Sequence, residues 1–258
     1  MQSTPIVALL CAVFVITHIG LAGDGVRARM IGRLGESRWI WVYGLIASVV
    51  FGLMIAYYAR HQYDGPPGPS LGTVPAMQWT LIAVIAAGMA LIGSTFAGYF
   101  DSPYAAFAHN FREPYGIERI TRHPFFAGVV LFAAAHALLS SRLNGTILFS
   151  SLAVLAVAGA RHQDAKLLRR GGEAYRRFLE TTSVVPFAAI IAGWQRIVWR
   201  ELATAGLIAG LTLAFAAALR LVHGSIFARG GLFVIAAVVG GSTIIALVSS
   251  LRGRPARR

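Results

Sequence analysis

Residues 76–100, AMQWTLIAVIAAGMALIGSTFAGYF, run for 25 positions without a Lys, Arg, Asp or Glu. A helix rises about 1.5 Å per residue, so ~20 such residues cross the ~30 Å hydrocarbon core of a bilayer. The stretch is uniformly apolar and lacks the alternation of a barrel strand, so it reads as a membrane-spanning helix. Six further charge-free blocks lie at 5–23, 39–58, 124–139, 144–160, 202–219 and 231–251. The block at 124–139 is short, and Ser140 and Ser141 can extend it. The fold class expected is all-α, a polytopic transmembrane helix bundle of about seven spans. MQSTP carries no basic region ahead of the first block, which is therefore expected to stay as a span instead of being cleaved as a signal peptide.

The composition agrees. Of 258 residues, 57% are hydrophobic and 13% charged, against roughly 45–50% and 25% in an ordinary soluble domain. A soluble enzyme, a disordered chain and a nucleic-acid-binding module are excluded. The net charge of +13 comes almost wholly from arginine and becomes informative once sorted by loop. Segments 24–38, 101–123, 161–201 and the tail after 251 hold 19 of the 23 cations; the alternate connections hold 4. Positive loops stay in the cytoplasm, so the N-terminus is expected outside and the C-terminus inside. A multi-pass protein of the bacterial inner (plasma) membrane in contact with its lipids follows, with no nucleic-acid partner. The single cysteine, Cys11, excludes an intramolecular disulfide and a Cys-based metal site.

Outside the spans, His61–Pro69 is dense in turn formers and reads as an external loop. Segment 161–200 mixes Leu167, Leu168, Tyr175 and Phe178 with Arg and Glu, as an amphipathic cytoplasmic helix does. The stretch 183–191 is too short to span and reads as interfacial or re-entrant. Residues 1–200 are expected to form the main transmembrane domain, and 201–258 an appended transmembrane hairpin with a basic tail.

Ionisable groups inside spans are functional candidates, and histidine is the one such type here: His18 in the first span and His136 in the fourth. Phe14 and Cys11 share the face of His18; Phe132, Val129 and Phe125 share that of His136. An imidazole on an apolar, aromatic face suits axial ligation of a haem, or else a hydrogen bond to a neighbouring helix. The topology places His18 near the inner end of its span and His136 near the outer end of its own, on the order of 12 Å apart in depth. His123, just before the fourth span, is an alternative second ligand. Arg119 and Arg122 beside it suit carboxylates or phosphates, such as haem propionates or lipid headgroups. No C-x-x-C-H appears, so any haem is held non-covalently.

Three blocks carry a family resemblance: HIGLA from His18, GIERITRHPFFAG from Gly116 with AAHAL around His136, and GGEAY from Gly171 followed by TSVVPFAAIIAGWQ from Thr182. Together they resemble the NnrU family, which includes plant-type 15-cis-ζ-carotene isomerases. The resemblance implies a membrane protein holding haem b through His18 and His136, which on the isomerase branch form the redox-gated catalytic centre for cis–trans rotation of a polyene. On another branch it implies an accessory or sensor role toward nitrite and nitric oxide reductases, with a respiratory enzyme as partner. Ala133 stands where the isomerase branch can carry a cysteine, and Asp164-Ala165-Lys166 where Asp-Arg-Arg is expected. Arg122-His123-Pro124 with Gly172, Tyr175 and Phe178 also resembles membrane S-adenosylmethionine-dependent methyltransferases, which would recruit His123, Asp164 and Glu173. Oligomeric state has no signature in the sequence.

Overall fold

Backbone polar groups in hydrocarbon find partners within a helix, and the apolar blocks obey this. The computed structural model describes residues 3–104 and 112–252, and the basic tail beyond lies outside the described residues. Named in order, the helices are α1 (Ser3–Ala22), α2 (Asp24–Leu34), α3 (Glu36–His61), α4 (Pro75–Ser94), α5 (Pro124–Leu139), α6 (Leu143–Thr181), α7 (Ala188–Ile191), α8 (Trp199–Arg220) and α9 (Ala228–Arg252). Among the described residues no strand forms; Pro67 and Arg142 make an isolated bridge. The α1, α3, α4, α6, α8 and α9 helices are long and apolar enough to cross a membrane. The 16-residue α5 is the short seventh. The fold is thus the expected all-α, polytopic helical one.

Boundaries differ from expectation where glycine or charge decides them. The segment 24–38, read as a loop, contains α2. Asp24 in its first turn and Arg33 in its last match the helix dipole. Gly35, at φ +80°, separates it from α3, and an Arg27–Glu36 ion pair of 2.6 Å spans that break. The amphipathic stretch after 160 begins as a continuation of α6; a break at Gly172, with φ 51°, sets off the remainder, to Thr181, as a second helical segment within the 39 residues. At ~1.5 Å per residue this is roughly twice what a bilayer core requires, so the half bearing Arg161 onward stands beyond the apolar stretch. At the start of α9, Arg229, Gly230 and Gly231 all have positive φ.

Contacts group the described residues into two units. Unit 1 takes those within 1–83, 133–155 and 222–243; unit 2 takes those within 84–132, 156–221 and 244–258. In unit 1, Val7, Cys11 and Phe14 of α1 bury a stripe against Phe51, Met54, Ile55 and Tyr58 of α3 and Leu148 of α6. These recur at i, i+3/i+4 and i+7, the spacing that lines one helical face. Gly231 brings α9 close to α3, since a Cβ there would lie 2.6 Å from Ile55 Cγ2. Reverse faces expose Leu9, Ile16, Leu45 and Leu53, apolar surface of the kind lipid covers. The 62–70 loop is fastened to the turn after α5 by Gly68 N–H donating to Ser141 O (3.0 Å) and Ser70 N–H to Ser140 O (3.1 Å).

In unit 2, α4 and α5 meet at glycine on both sides. A Cβ on Gly88 would lie 2.7 Å from Gly128 O, and one on Gly128 2.6 Å from Gly88 O and 2.9 Å from Ile92 N. Small residues admit such backbone approach in helix pairs of membrane proteins. Any side chain must force the helices apart, and overpacking of this kind typically costs about 1–3 kcal/mol. Gly128→Val is therefore expected to lower the thermal midpoint of detergent-solubilised protein. Gly206→Ala on α8, where a Cβ meets nothing within 4 Å, is expected to leave it unchanged or higher.

Candidate functional site

The α1 stripe leads to His18, one turn beyond Phe14. The imidazole lies against Phe14 and Tyr43, each with ring centroids 5.4 Å away, and Tyr43 OH donates to the His18 carbonyl at 3.1 Å. His18 Nδ1 is buried without a hydrogen-bond partner. Buried polar atoms in folded proteins are almost always paired, and an exception calls for a reason such as a bound group.

His136, half-buried on α5, stacks on Phe149 of α6 at 4.7 Å and 28°. His223 lies nearby, at 6.3 Å and 18°, in the 3-10 turn His223–Ser225 between α8 and α9. Both expected ligands and His223 belong to unit 1; His123, Arg119 and Arg122 belong to unit 2. Among the described residues no group of three or more His, Cys, Asp or Glu is placed to hold a bare metal ion. An iron porphyrin brings its own four equatorial nitrogens and asks the protein only for axial imidazoles. The residues present thus fit a haem in donor chemistry and in aromatic surroundings. Sequence reasoning passed over His223 because it sits in a short connection; the signal was a histidine between two apolar spans.

Unit 2 assembles the other motif residues into a polar clamp. Arg122 N–H donates to Ser183 O (2.9 Å), Phe187 N–H to Ile120 O (2.8 Å) and Thr121 Oγ1 to Val184 O (2.7 Å). The GIERITRHP and TSVVPF blocks are therefore bonded to each other. Pro124, which has no N–H to lose, opens α5, and Ala127 N–H donates to His123 O at 2.9 Å. His123 is 3% exposed, with Nε2 2.7 Å from Asp164 Oδ1. The same oxygen accepts Tyr175 OH at 2.6 Å, while Arg122 Nε donates to Oδ2 at 3.1 Å. Tyr104, absent from the sequence reading, sets its OH 3.2 Å from that of Tyr175 and its ring 4.7 Å from His123.

Arg119 is engaged likewise. It donates to both carboxylate oxygens of Glu201 (2.8 and 3.2 Å) and to Gln195 Oε1 (2.9 Å). Gly116 N–H adds 2.8 Å to Glu201, and Arg112 forms a two-bond pair with buried Glu118. Of the residues a methyltransferase would recruit, His123 and Asp164 come together. Glu173 is exposed and faces Arg176 and Arg177 at 3.5 and 3.7 Å.

The charges are balanced accordingly. Burial raises the Asp164 carboxyl, but the hydrogen bonds and charge of His123, with Tyr175 and Arg122, outweigh it and hold the acid below its ordinary value. Burial, reinforced by Tyr175, pushes Tyr104 well above its usual range. The hydrogen bond to Glu201 raises Arg119. Because the Asp164 value is depressed on folding, its stabilisation is complete above the ordinary carboxylate pKa of about 4. It is lost as pH falls through the lower, folded-state value. Asp164→Ala strands Arg122 and His123, at a loss of about 3 kcal/mol. Asp164→Asn is expected to flatten the acid limb of the thermal midpoint against pH.

Comparison with known proteins bears on this arrangement. A family model described as NnrU protein matches residues 6–229. The chain is 32% identical over 196 residues to the chloroplastic 15-cis-zeta-carotene isomerase of Arabidopsis thaliana, covering 72% of this chain and 50% of that protein. It is 29% identical over 206 residues to the enzyme of the same name from Zea mays, covering 74% and 52%. The chain spans about half the length of these curated relatives. No solved structure gives a significant match. With the family model matching from α1 into the start of α9, both imidazole-bearing helices and the whole clamp included, this chain belongs to the NnrU family.

Proposed function

We propose that this protein is a membrane haem b protein that isomerises the central 15-cis double bond of a long carotenoid polyene. The observation that carries the reading is His18: a buried imidazole nitrogen without a partner, at the end of an apolar stripe and between two aromatic rings. Kinship to the two isomerases supports it. So does an open, shallow apolar groove in unit 1, lined by Ala8, Cys11, Ala12 and Val15 of α1 with Ile147 and Ser151 of α6. Its small, apolar walls suit a thin hydrocarbon chain, and its α1 side leads toward His18. Binding sites of this kind are mostly apolar with few polar groups.

In this reading His18 and His136 hold the cofactor non-covalently. When bound, haem b supplies a redox-active iron with a coordination position that can open. The remaining work belongs to the chain. Phe14 and Tyr43 exclude water around His18, and the Tyr43 hydrogen bond ties α3 to the α1 backbone carrying that imidazole. The open α1–α6 groove offers the polyene an apolar track. Cis–trans rotation about a double bond balances without any proton transfer, so this reading assigns no proton donor or acceptor. Arg119, Arg122 and His123 act by holding segment 116–123 in place at the mouth of α5. In this reading the protein sits in a bacterial inner membrane with its N-terminus outside and its C-terminus inside, an orientation that the distribution of cations supports.

Two measurements test this. Protein purified in detergent from haem-sufficient cells is expected to show a Soret band. His18→Ala and His136→Ala are each expected to alter it, and the double variant to purify without haem. Colourless wild-type protein overturns the cofactor assignment. Reduced wild-type protein incubated in the dark with 15-cis-ζ-carotene is expected to yield the 15-trans isomer by chromatography. Unchanged substrate in the presence of bound, reducible haem rejects the isomerase and leaves a haem protein of another role.

A further inference from the structure

We infer that residues 185–200 form a docking surface for anionic phospholipid, with Trp194 and Trp199 at the headgroup level and Arg196 and Arg200 taking the phosphates. The inference is independent of the cofactor and of the reaction proposed above. It begins from an apolar run in a segment too short to span. Val185, Phe187, Ile191, Trp194, Ile197 and Trp199 are all exposed, Ile191 to 84% and Trp199 to 76%. Ala189 in their midst is fully buried. One small residue packs inward while the large apolar ones face out, the reverse of a loop built to meet water.

Bonding fixes this outward pose. Phe187 N–H donates to Ile120 O (2.8 Å), the N–H groups of Trp194 and Gln195 donate to Ala189 O (2.9 and 3.1 Å), and Gln195 Oε1 accepts from Arg119 (2.9 Å). Phe187 holds φ 65°, a left-handed conformation unfavourable for any residue with a Cβ, and its side chain nonetheless stays exposed. Strain of this kind gathers at binding surfaces. The bonds also set the depth of the segment. One end is tied to residues 120–122, directly before α5, and the other runs into Trp199, the first residue of the apolar helix α8. It therefore lies level with the places where two helices enter the apolar layer. Tryptophan favours that level, with its ring in the apolar boundary and its N–H among the headgroups.

Charge selects the lipid. Residues 185–200 include Arg196 and Arg200 and no Asp or Glu, and both arginines are exposed. Arg119 and Arg122, which the sequence offered for phosphates, are engaged by Glu201 and Asp164. The headgroup role passes to the two arginines interleaved with tryptophan. A guanidinium fork matches phosphate oxygens, and basic residues beside an anionic leaflet are drawn to it. A protein partner would not require this surface to lie level with the start of two apolar helices; a bilayer does.

The test uses the full chain in phosphatidylcholine vesicles that carry a minor fraction of brominated lipid, either phosphatidylglycerol or phosphatidylcholine. Emission from the two tryptophans is the difference between wild type and Trp194→Tyr/Trp199→Tyr. Both brominated lipids are expected to quench it, the anionic one several-fold more, since each basic residue at such a surface strengthens the attraction roughly fivefold. Arg196→Gln/Arg200→Gln is expected to bring the two lipids to equal quenching with circular dichroism unchanged, because both side chains are exposed. Equal quenching in the wild type overturns the selection of anionic lipid, and a preference that survives in the double arginine variant overturns the assignment to these residues. Emission quenched by aqueous acrylamide and by neither lipid places the segment in water. Emission reached by neither lipid nor acrylamide places it under a second copy or another protein. Either result overturns the inference.

Discussion

The Asp164 carboxylate gathers more of unit 2 than any apolar contact does. Its two oxygens accept from Arg122, His123 and Tyr175, and Tyr104 joins through Tyr175. Taking a carboxylate out of water costs several kcal/mol, repaid only when good geometry satisfies its lone pairs. Here the geometry comes from chain segments distant in sequence. The start of α5, the continuation of α6 and the segment after Thr181 must all be in place before Asp164 is paired. Once it is, the bonds of Ile120, Thr121 and Arg122 to residues 182–187 follow without further adjustment. Removing one partner leaves the others buried and unmatched, which is why such a network concentrates stability in few side chains.

Unit 1 has the opposite chemistry. Its polar groups are sparse, and the His18 nitrogen stands out because nothing meets it. The other buried, unpartnered side-chain atoms among the described residues are hydroxyl and amide oxygens of Thr4, Asn144 and Ser249. Thr4 and Asn144 meet beside Gly65. An imidazole differs from these because it is also a strong ligand for transition metals. The motif histidines have different environments. His123 spends a ring nitrogen on a carboxylate within the fold, whereas His18 and His136 sit among aromatic rings. The aspartate engages one nitrogen of His123, Nε2, and leaves its ring fixed against Tyr104.

Much of the fold was legible because membrane solvation imposes a simple rule. Charge-free blocks of sufficient length become helices, and each block marked in the sequence falls on a helix, most ends shifted by a few residues, with α4 stopping early at Ser94 and α6 running on to Thr181. The misses have local causes. The α2 helix is polar, so it carries no span signal, and only capping charges and flanking glycines mark it. The α6 helix runs on past residue 160 because helix formers continue there; the change from apolar to amphipathic composition marks a change of surroundings, not an end. Tyr104 and His223 were invisible because their partners lie 71 and 87 positions away in sequence, at Tyr175 and His136. Spacing along one helix cannot reveal such pairs.

By itself, the sequence determined that this chain is helical, where its apolar segments lie, and which ionisable residues those segments carry. Each of these follows from local composition acting on helix formation and on transfer out of water. Family membership was legible too, since the signature blocks are contiguous stretches. Which of these residues pair, and with what, only the tertiary structure decided. It closed Arg119 and Arg122 onto Glu201 and Asp164 and set His223 beside His136. It also left His18 Nδ1 without a partner. These are consequences of close packing between distant segments, where small displacements decide whether a polar atom finds a hydrogen-bond partner.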